Sequence, residues 1–253
     1  MKIATWNVNS LKVRLPQVLE WLAASQPDIL CLQETKLEDA RFPLSELQQA
    51  GYQAVFSGQK TYNGVAILSK VAAQEVVTGI PEFADEQRRV IAASFNGVRI
   101  VCVYIPNGQS VGSDKYQYKL SWLAALRGWL EKELARYPKL ALLGDYNIAP
   151  EDRDVYDPAG WQGNVLVSEP ERAAFRSLQQ LGLRDAFRLF EQPEKSYSWW
   201  DYRMMAFRRN MGLRIDHILI SEGLQCAACT IDRAPRKLER PSDHTPVIAE
   251  IAP

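Results

Sequence analysis

"LALLGDYNIAP", residues 140–150, is an apolar run, Leu140 to Leu143, that passes through Gly144 and ends in Asp145 and Asn147. A β-strand turns residues i and i+2 to the same side. The stretch therefore predicts a carboxylate and an amide projecting together just past the end of a buried strand. Other apolar runs end the same way. "IATWNVN" reaches Asn7 and Asn9, "ILCLQET" reaches Gln33 and Glu34, and "VCVYIPNG" reaches Tyr104 and Asn107. "LRIDHILI" carries Asp216 inside an apolar strand, and "RPSDHTPV" sets Asp243 and His244 just before the last one. Taken singly, an Asn after a strand is a turn residue. An acid within an apolar run is different, because it needs a partner. Six such endings, all with hydrolytic or metal-binding chemistry, describe a site.

Strand candidates alternate with helical ones along the whole chain. The strands are "KIATWNV", "DILCLQE", "GVAILSK", "RIVCVYI", "KLALLGD", "RIDHILI" and "TPVIAEI". Several are apolar throughout, as strands covered on both faces are. Helices are predicted over "LPQVLEWLAAS", "KYQYKLSWLAALRGWLEKELARY" and "EPERAAFRSLQQLG". The second places Leu120, Leu123, Leu126, Leu130 and Leu134 at helical spacing and stops before Pro138. With no linker or repeat, residues 1–253 read as one α/β domain with sheet packed on sheet and helices outside.

Bulk composition narrows the function classes. Of 253 residues, 47% are hydrophobic, and 30 Lys+Arg balance 30 Asp+Glu. A zero net charge excludes a non-specific DNA-coating protein, so nucleic-acid binding must rest on a local patch. The N-terminal segment has no signal-peptide core and no run approaches membrane-spanning length, which points to the cytoplasm and away from membranes. Cys31 and Cys102 sit in apolar runs as small hydrophobes. Cys226 and Cys229 have redox or zinc spacing, but no second Cys or His pair completes a site.

The polar endings suit phosphodiester hydrolysis. Mg²⁺ prefers oxygen donors and takes one or two protein carboxylates, which Glu34 and the amide oxygen of Asn7 supply. A zinc site would call for more than the two histidines present. His217, next to Asp216 in a strand, points to the opposite face and reads as structural. His244, oriented by Asp216, becomes the donor to phosphate. Asp145 positions the attacking water, Asn147 holds a phosphate oxygen, and Tyr104 adds a further donor.

"TWNVNSLKVRLPQVLEWL", "PDILCLQETK", "YNGVAILSK", "VYIPNG", "GDYNIAP", "LRIDHILIS" and "PSDHTPV", in this order, resemble the exonuclease III/AP endonuclease family of the endonuclease/exonuclease/phosphatase superfamily. The resemblance runs from Met1 to about Ile251. It implies a four-layered α/β sandwich of two packed mixed sheets flanked by helices. It also implies Mg²⁺- or Mn²⁺-dependent cleavage of double-stranded DNA at abasic sites or 3′ ends by a monomer. Asn7 and Glu34 would lie at the metal, with Asp243 as a third candidate. Tyr104, Asn107, Asp145, Asn147, Asp216 and His244 would form the catalytic surround, with Asn9 beside them. DNase I-like, sphingomyelinase and inositol phosphatase branches carry a second His where Tyr104 stands here, which favours DNA repair. A catalytically weak relative, acting as a regulatory or RNA-associated binding protein, is the alternative. Such a loss shows as replaced acids or His, and here every expected position is filled.

For DNA contact, "SYSWWDYRMMAFRRNMGLR", residues 196–214, gathers Trp199, Trp200, Tyr202 and Phe207 with Arg203, Arg208, Arg209 and Arg214. Rings interleaved with guanidiniums suit base stacking and backbone contact. The resemblance makes this segment the lining of a pocket for an extruded abasic sugar. Lys12, Arg14 and Lys36 are further phosphate candidates. Leu166, in "GWQGNVLVSEPER", is expected at the pocket wall, where its bulk would favour trimming of 3′ termini over internal cutting.

Overall fold

The continuous apolar runs become the inner strands of two sheets. The structure, a computed structural model, describes residues 1–252. The chain forms β1 (Lys2–Asn7), α1 (Leu11–Ser25), β2 (Ile29–Gln33), α2 (Leu44–Gln49), β3 (Gln53–Ser57), β4 (Val65–Ser69), β5 (Gln74–Thr78), β6 (Val90–Phe95), β7 (Val98–Tyr104) and α3 (Asp114–Arg136). It continues through β8 (Leu140–Asp145), α4 (Pro158–Trp161), α5 (Glu169–Gln179), β9 (Arg184–Asp185), β10 (Trp199–Trp200), β11 (Gly212–Leu213), β12 (Asp216–Ile220), β13 (Gln225–Ile231) and β14 (Val247–Ala252).

One six-stranded sheet has the order β13-β14-β1-β2-β4-β3, the other β5-β6-β7-β8-β12-β9. Both are mixed, because β1 runs parallel to β2 and β7 parallel to β8 while their other pairings are antiparallel. Facing side chains of the two sheets, among them Ile3, Cys31, Ile67, Ile100, Leu143 and Ile218, form the central core. On the outer faces, Trp21 and Leu22 of α1 pack on the first sheet, and Trp122, Leu126 and Phe175 of α3 and α5 on the second. The result is helix, sheet, sheet, helix: the four layers the sequence predicts. No helix among the described residues is long and apolar enough to cross a membrane.

Register places the polar strand ends side by side. Tyr104 pairs with Asp145 across β7 and β8, and Asp216 pairs with Asp145 across β12 and β8. Gly144 makes the first of these rows possible, since a Cβ there would stand 1.9 Å from the Val103 carbonyl oxygen. In the other sheet, Asn7 pairs with Gln33, one residue before Glu34. Both rows open at the same rim of the sandwich.

Candidate active site

Asn7 joins the two rows. Its Nδ2 donates to Glu34 Oε1 and to Asp145 Oδ2, both at 2.8 Å, so one amide from the first sheet bridges two acids from different sheets. Its Oδ1 meanwhile accepts from the Asn9 backbone N–H at 2.9 Å. The amide nitrogen thus faces the acids, and the oxygen, expected at a metal, accepts from Asn9 with a second lone pair left over. The backbone around these residues is held in the left-handed region, at Asn9 (φ 44°), Glu34 (φ 52°), Lys36 (φ 53°) and Asn147 (φ 49°). Such strain persists where surrounding contacts over-determine it.

Asp145 and Asn147 do project together, but a turn achieves it rather than strand alternation. β8 ends at Asp145, whose Oδ1 accepts from the Asn147 backbone N–H at 2.9 Å. The Asn147 side chain then donates to the Ile105 carbonyl at 2.9 Å and accepts from Asn107 Nδ2 at 3.1 Å. Asn107 is exposed at the end of this chain, while Asn147 and Asp145 are buried.

His244 closes the site. Its Nδ1 donates to Asp216 Oδ2 at 2.9 Å, and its Nε2 lies 3.6 Å from Asp145 Oδ2. Burial alone would strip its proton, but the Asp216 and Asp145 carboxylates outweigh burial and raise it to about 10. Burial pushes Asp145 up to about 7, against the opposing pull of the His244 imidazolium. Tyr104 is pushed well above the usual phenol value by burial and by the nearby Glu34 and Asp145, so it remains an O–H donor. The Arg89 guanidinium lies 4.6 Å from its ring centroid. A cleft of about 750 Å³ opens beside Tyr104 and Asn107.

Glu34, Asp145 and His244 offer ligand atoms within 4.8 Å of one another. Three groups so close could all hold a metal, but an imidazolium raised to about 10 has no lone pair to give near neutral pH. The two carboxylates are the donors that fit. Oxygen ligands, a buried acid whose charge is disfavoured, and a partly buried partner suit a hard divalent cation. Asp243 stands apart from this cluster. Its Oδ1 accepts from Asn9 Nδ2 at 3.0 Å and its Oδ2 from the Trp199 indole N–H at 2.9 Å. These contacts make it an organiser of the rim, and each carboxylate oxygen keeps a further lone pair.

The expected DNA-contacting segment is divided by burial. Trp199 is half-buried at the rim, whereas Trp200 is fully buried and donates its indole N–H to Asn210 Oδ1 at 3.1 Å. Trp200 packs with Tyr197 and Ala206 in a local core, so its expected stacking role is corrected. Arg203, Arg208 and Arg209 are exposed, with Arg203 forked onto Asp201 at 3.0 and 2.6 Å. Arg214 is buried and tied to Asp154, Asp185 and His217. Arg14 binds backbone carbonyls of Asn9 and Pro241, and Lys36 binds Glu34 at 3.1 Å and Asn9 Oδ1 at 2.6 Å. Lys12 is exposed. Leu166, at φ 77°, is only 4% exposed and packs with Ala149, Val155 and Leu213 against Trp199. It supports the rim from behind instead of forming a pocket wall, which corrects the expectation drawn from its bulk.

Ser198 escaped the sequence reading. Its hydroxyl donates to Asp216 Oδ2 at 2.6 Å and accepts from the Asp216 backbone N–H at 3.0 Å. The only sign of it was a polar residue before two tryptophans. Met204 and Met205, 70% and 64% exposed, were also passed over, although an apolar pair without periodic partners is a visible cue. His217 is buried as expected, donating from Nε2 to the Ile148 carbonyl at 2.8 Å, and burial with the adjacent Arg214 lowers it to about 4. Cys226 and Cys229 are free thiols on β13.

The model of the endonuclease/exonuclease/phosphatase family matches residues 4–244 of the chain. The chain belongs to this family. Among its relatives in the family is exodeoxyribonuclease III of Haemophilus influenzae, 36% identical over 99% of each chain. Among solved members, a 3′ phosphatase (NExo) from Neisseria, bound to a product DNA hairpin, is 50% identical with a TM-score of 0.98, covering 100% of this chain and 99% of that one. An AP endonuclease from Archaeoglobus fulgidus is 40% identical with a TM-score of 0.96 over 100% of both chains.

Proposed function

We propose that this chain is a metal-dependent DNA repair nuclease that hydrolyses phosphodiesters at abasic sites or 3′ ends, with Mg²⁺ or Mn²⁺. The observation that carries the reading is the meeting of Glu34, Asp145 and the Asp216-oriented His244 at one rim, although 210 residues separate the first from the last. Kinship to an exodeoxyribonuclease III, a 3′ phosphatase and an AP endonuclease supports DNA as the substrate.

In this reading Asp145 holds and orients the water for in-line attack on phosphorus. Asn107 and Asn147 hold one phosphoryl oxygen, and the His244 imidazolium donates to another, neutralising charge that builds there. Tyr104 donates to the phosphate or to the leaving oxygen. Glu34 and Asp145 would hold the cation, which when bound polarises the phosphate and stabilises the leaving oxygen. Exposed Arg208 and Arg209, with half-buried Trp199 and exposed Tyr202 and Met204, form the face offered to the duplex.

The deciding experiment incubates purified protein with duplexes carrying an abasic site or a recessed 3′ end, in Mg²⁺, Mn²⁺ or EDTA. Cleavage of at least one duplex with metal and neither in EDTA is expected. No cleavage of either with either metal would overturn the reading. The metal assignment has its own test in Glu34→Ala. That variant should need roughly ten-fold or more Mg²⁺ for half-maximal rate, because one of the two carboxylate donors is gone. An Mg²⁺ titration superimposable on wild type would remove Glu34 from the metal.

A further inference from the structure

Lys119 extends from α3 into a space without solvent, with 0% exposure. A buried ammonium is costly unless every donor is used. Here all three are. Lys119 Nζ donates to Glu171 Oε1 at 2.5 Å, to the Asn147 carbonyl at 2.6 Å and to the Asn107 carbonyl at 3.1 Å. Those carbonyls belong to the two residues whose side-chain amides touch at 3.1 Å in the active site. Glu171 also accepts from the Leu166 backbone N–H at 3.0 Å and from the Ser168 backbone N–H at 3.2 Å, so the same ion pair fixes the loop behind Trp199. Gly108 leaves space for this approach, since a Cβ there would stand 3.2 Å from both Lys119 Cδ and Val165 Cγ2. Packing of α3 alone calls for an apolar side chain at this position. A single charge aimed at two carbonyls of the site is additional, and Asn147 needs it most, being held at φ 49°.

We propose that Lys119 is a positioning residue: its ammonium sets the separation and tilt of Asn107 and Asn147, so that the two amides receive a phosphoryl oxygen in one fixed geometry. The inference rests on the reading that these amides hold phosphate. Misplacing them by a fraction of an ångström weakens contacts in the transition state more than general affinity for the duplex.

Three variants test it. Lys119→Met alone strands the Glu171 carboxylate and lowers stability. The double variant Lys119→Met/Glu171→Gln removes both charges and keeps one of the two oxygens that accept from Leu166 and Ser168, and recovers part of the Tm. Its kcat should remain down by roughly 10- to 100-fold, with KM and the Kd for duplex in EDTA within about threefold of wild type. Lys119→Arg, which keeps the charge but moves the donors, should fold and still lose kcat. In the double variant, adding Asn147→Ala should cost less than it does in wild type, because the clamp is already slack. A folded double variant or Lys119→Arg protein with wild-type kcat would show that Lys119 serves stability only and overturn the inference. If Asn147→Ala itself cleaves at the wild-type rate, the assignment of phosphate to the amides fails instead, which separates the two ideas.

Discussion

Asp145→Asn folds as well as wild type and turns over roughly 10³-fold or more slowly. The substitution keeps the size and shape of a side chain that is 1% exposed, removes its charge, and replaces the oxygen that accepts from Asn7 Nδ2 at 2.8 Å with an amide nitrogen. An amide still receives the Asn147 backbone N–H, now bonded at 2.9 Å, so the turn that presents Asn147 survives. What is lost is the acceptor for a proton of the attacking water and one of the two oxygens that fit the cation. His244 also loses one of the carboxylates that hold its proton, so its pKa falls from about 10 toward its ordinary value.

Stability moves the other way. The Asp145 carboxyl titrates at about 7 in the folded protein, above its ordinary 3.8, because burial disfavours the charge. The stability linked to this group is therefore complete below the ordinary carboxylate range and lost as pH rises through about 7. Asn is uncharged, like the protonated acid, at every pH. Urea denaturation in EDTA should find the variant level with wild type near about pH 4 and more stable near about pH 8. Divalent cations should then stabilise wild type more as pH rises, by competing with the Asp145 proton, and should do little for the variant. Turnover within about tenfold of wild type would remove Asp145 from the chemistry. A variant less stable than wild type at the higher pH would show that its buried charge is compensated.

The same residue shows what a sequence discloses. β1, β2, β7 and β8 were legible because each is a largely apolar run that breaks into a polar residue, and β12 because its apolar run follows Asp216 and His217. β5 and β13 were not, since they lie at sheet edges and are partly exposed, which leaves no continuous run to read. Asp216 and His244 were legible as a pair because an acid inside an apolar strand must find a partner. Which way an amide turns is a different kind of fact. Asn7 directs nitrogen to Glu34 and Asp145 because two acids there demand a donor, and both acids are distant in the chain. Asp243 likewise is claimed by Asn9 and Trp199, neither of which its own neighbours suggest. Trp200 and Arg214 looked like surface groups only because aromatic and basic residues surround them; both are buried, and each has its own partner.

His244→Ala should cost both rate and stability, and pH tells the two losses apart. Among the described residues, the imidazolium is the cation that lies against both Asp145 and Asp216, at 3.6 and 2.9 Å. Its removal takes away the donor to the phosphoryl oxygen, and turnover falls by roughly 10²- to 10³-fold. It also leaves two buried carboxyls facing each other, and breaking a buried pair costs about 3–5 kcal/mol. His244 is raised in the folded state, to about 10 from an ordinary 6.5, so its stabilising contribution is fully present below about 6.5 and is lost as pH rises through about 10. Urea denaturation of the two proteins in EDTA should therefore diverge most near about pH 6.5 and converge as pH approaches about 10. The rate loss has no reason to follow that curve, because it reflects a donor absent at every pH. A stability difference that stays constant across this range would mean that His244 holds no extra proton in the folded protein. A variant with normal turnover would remove it from the phosphate.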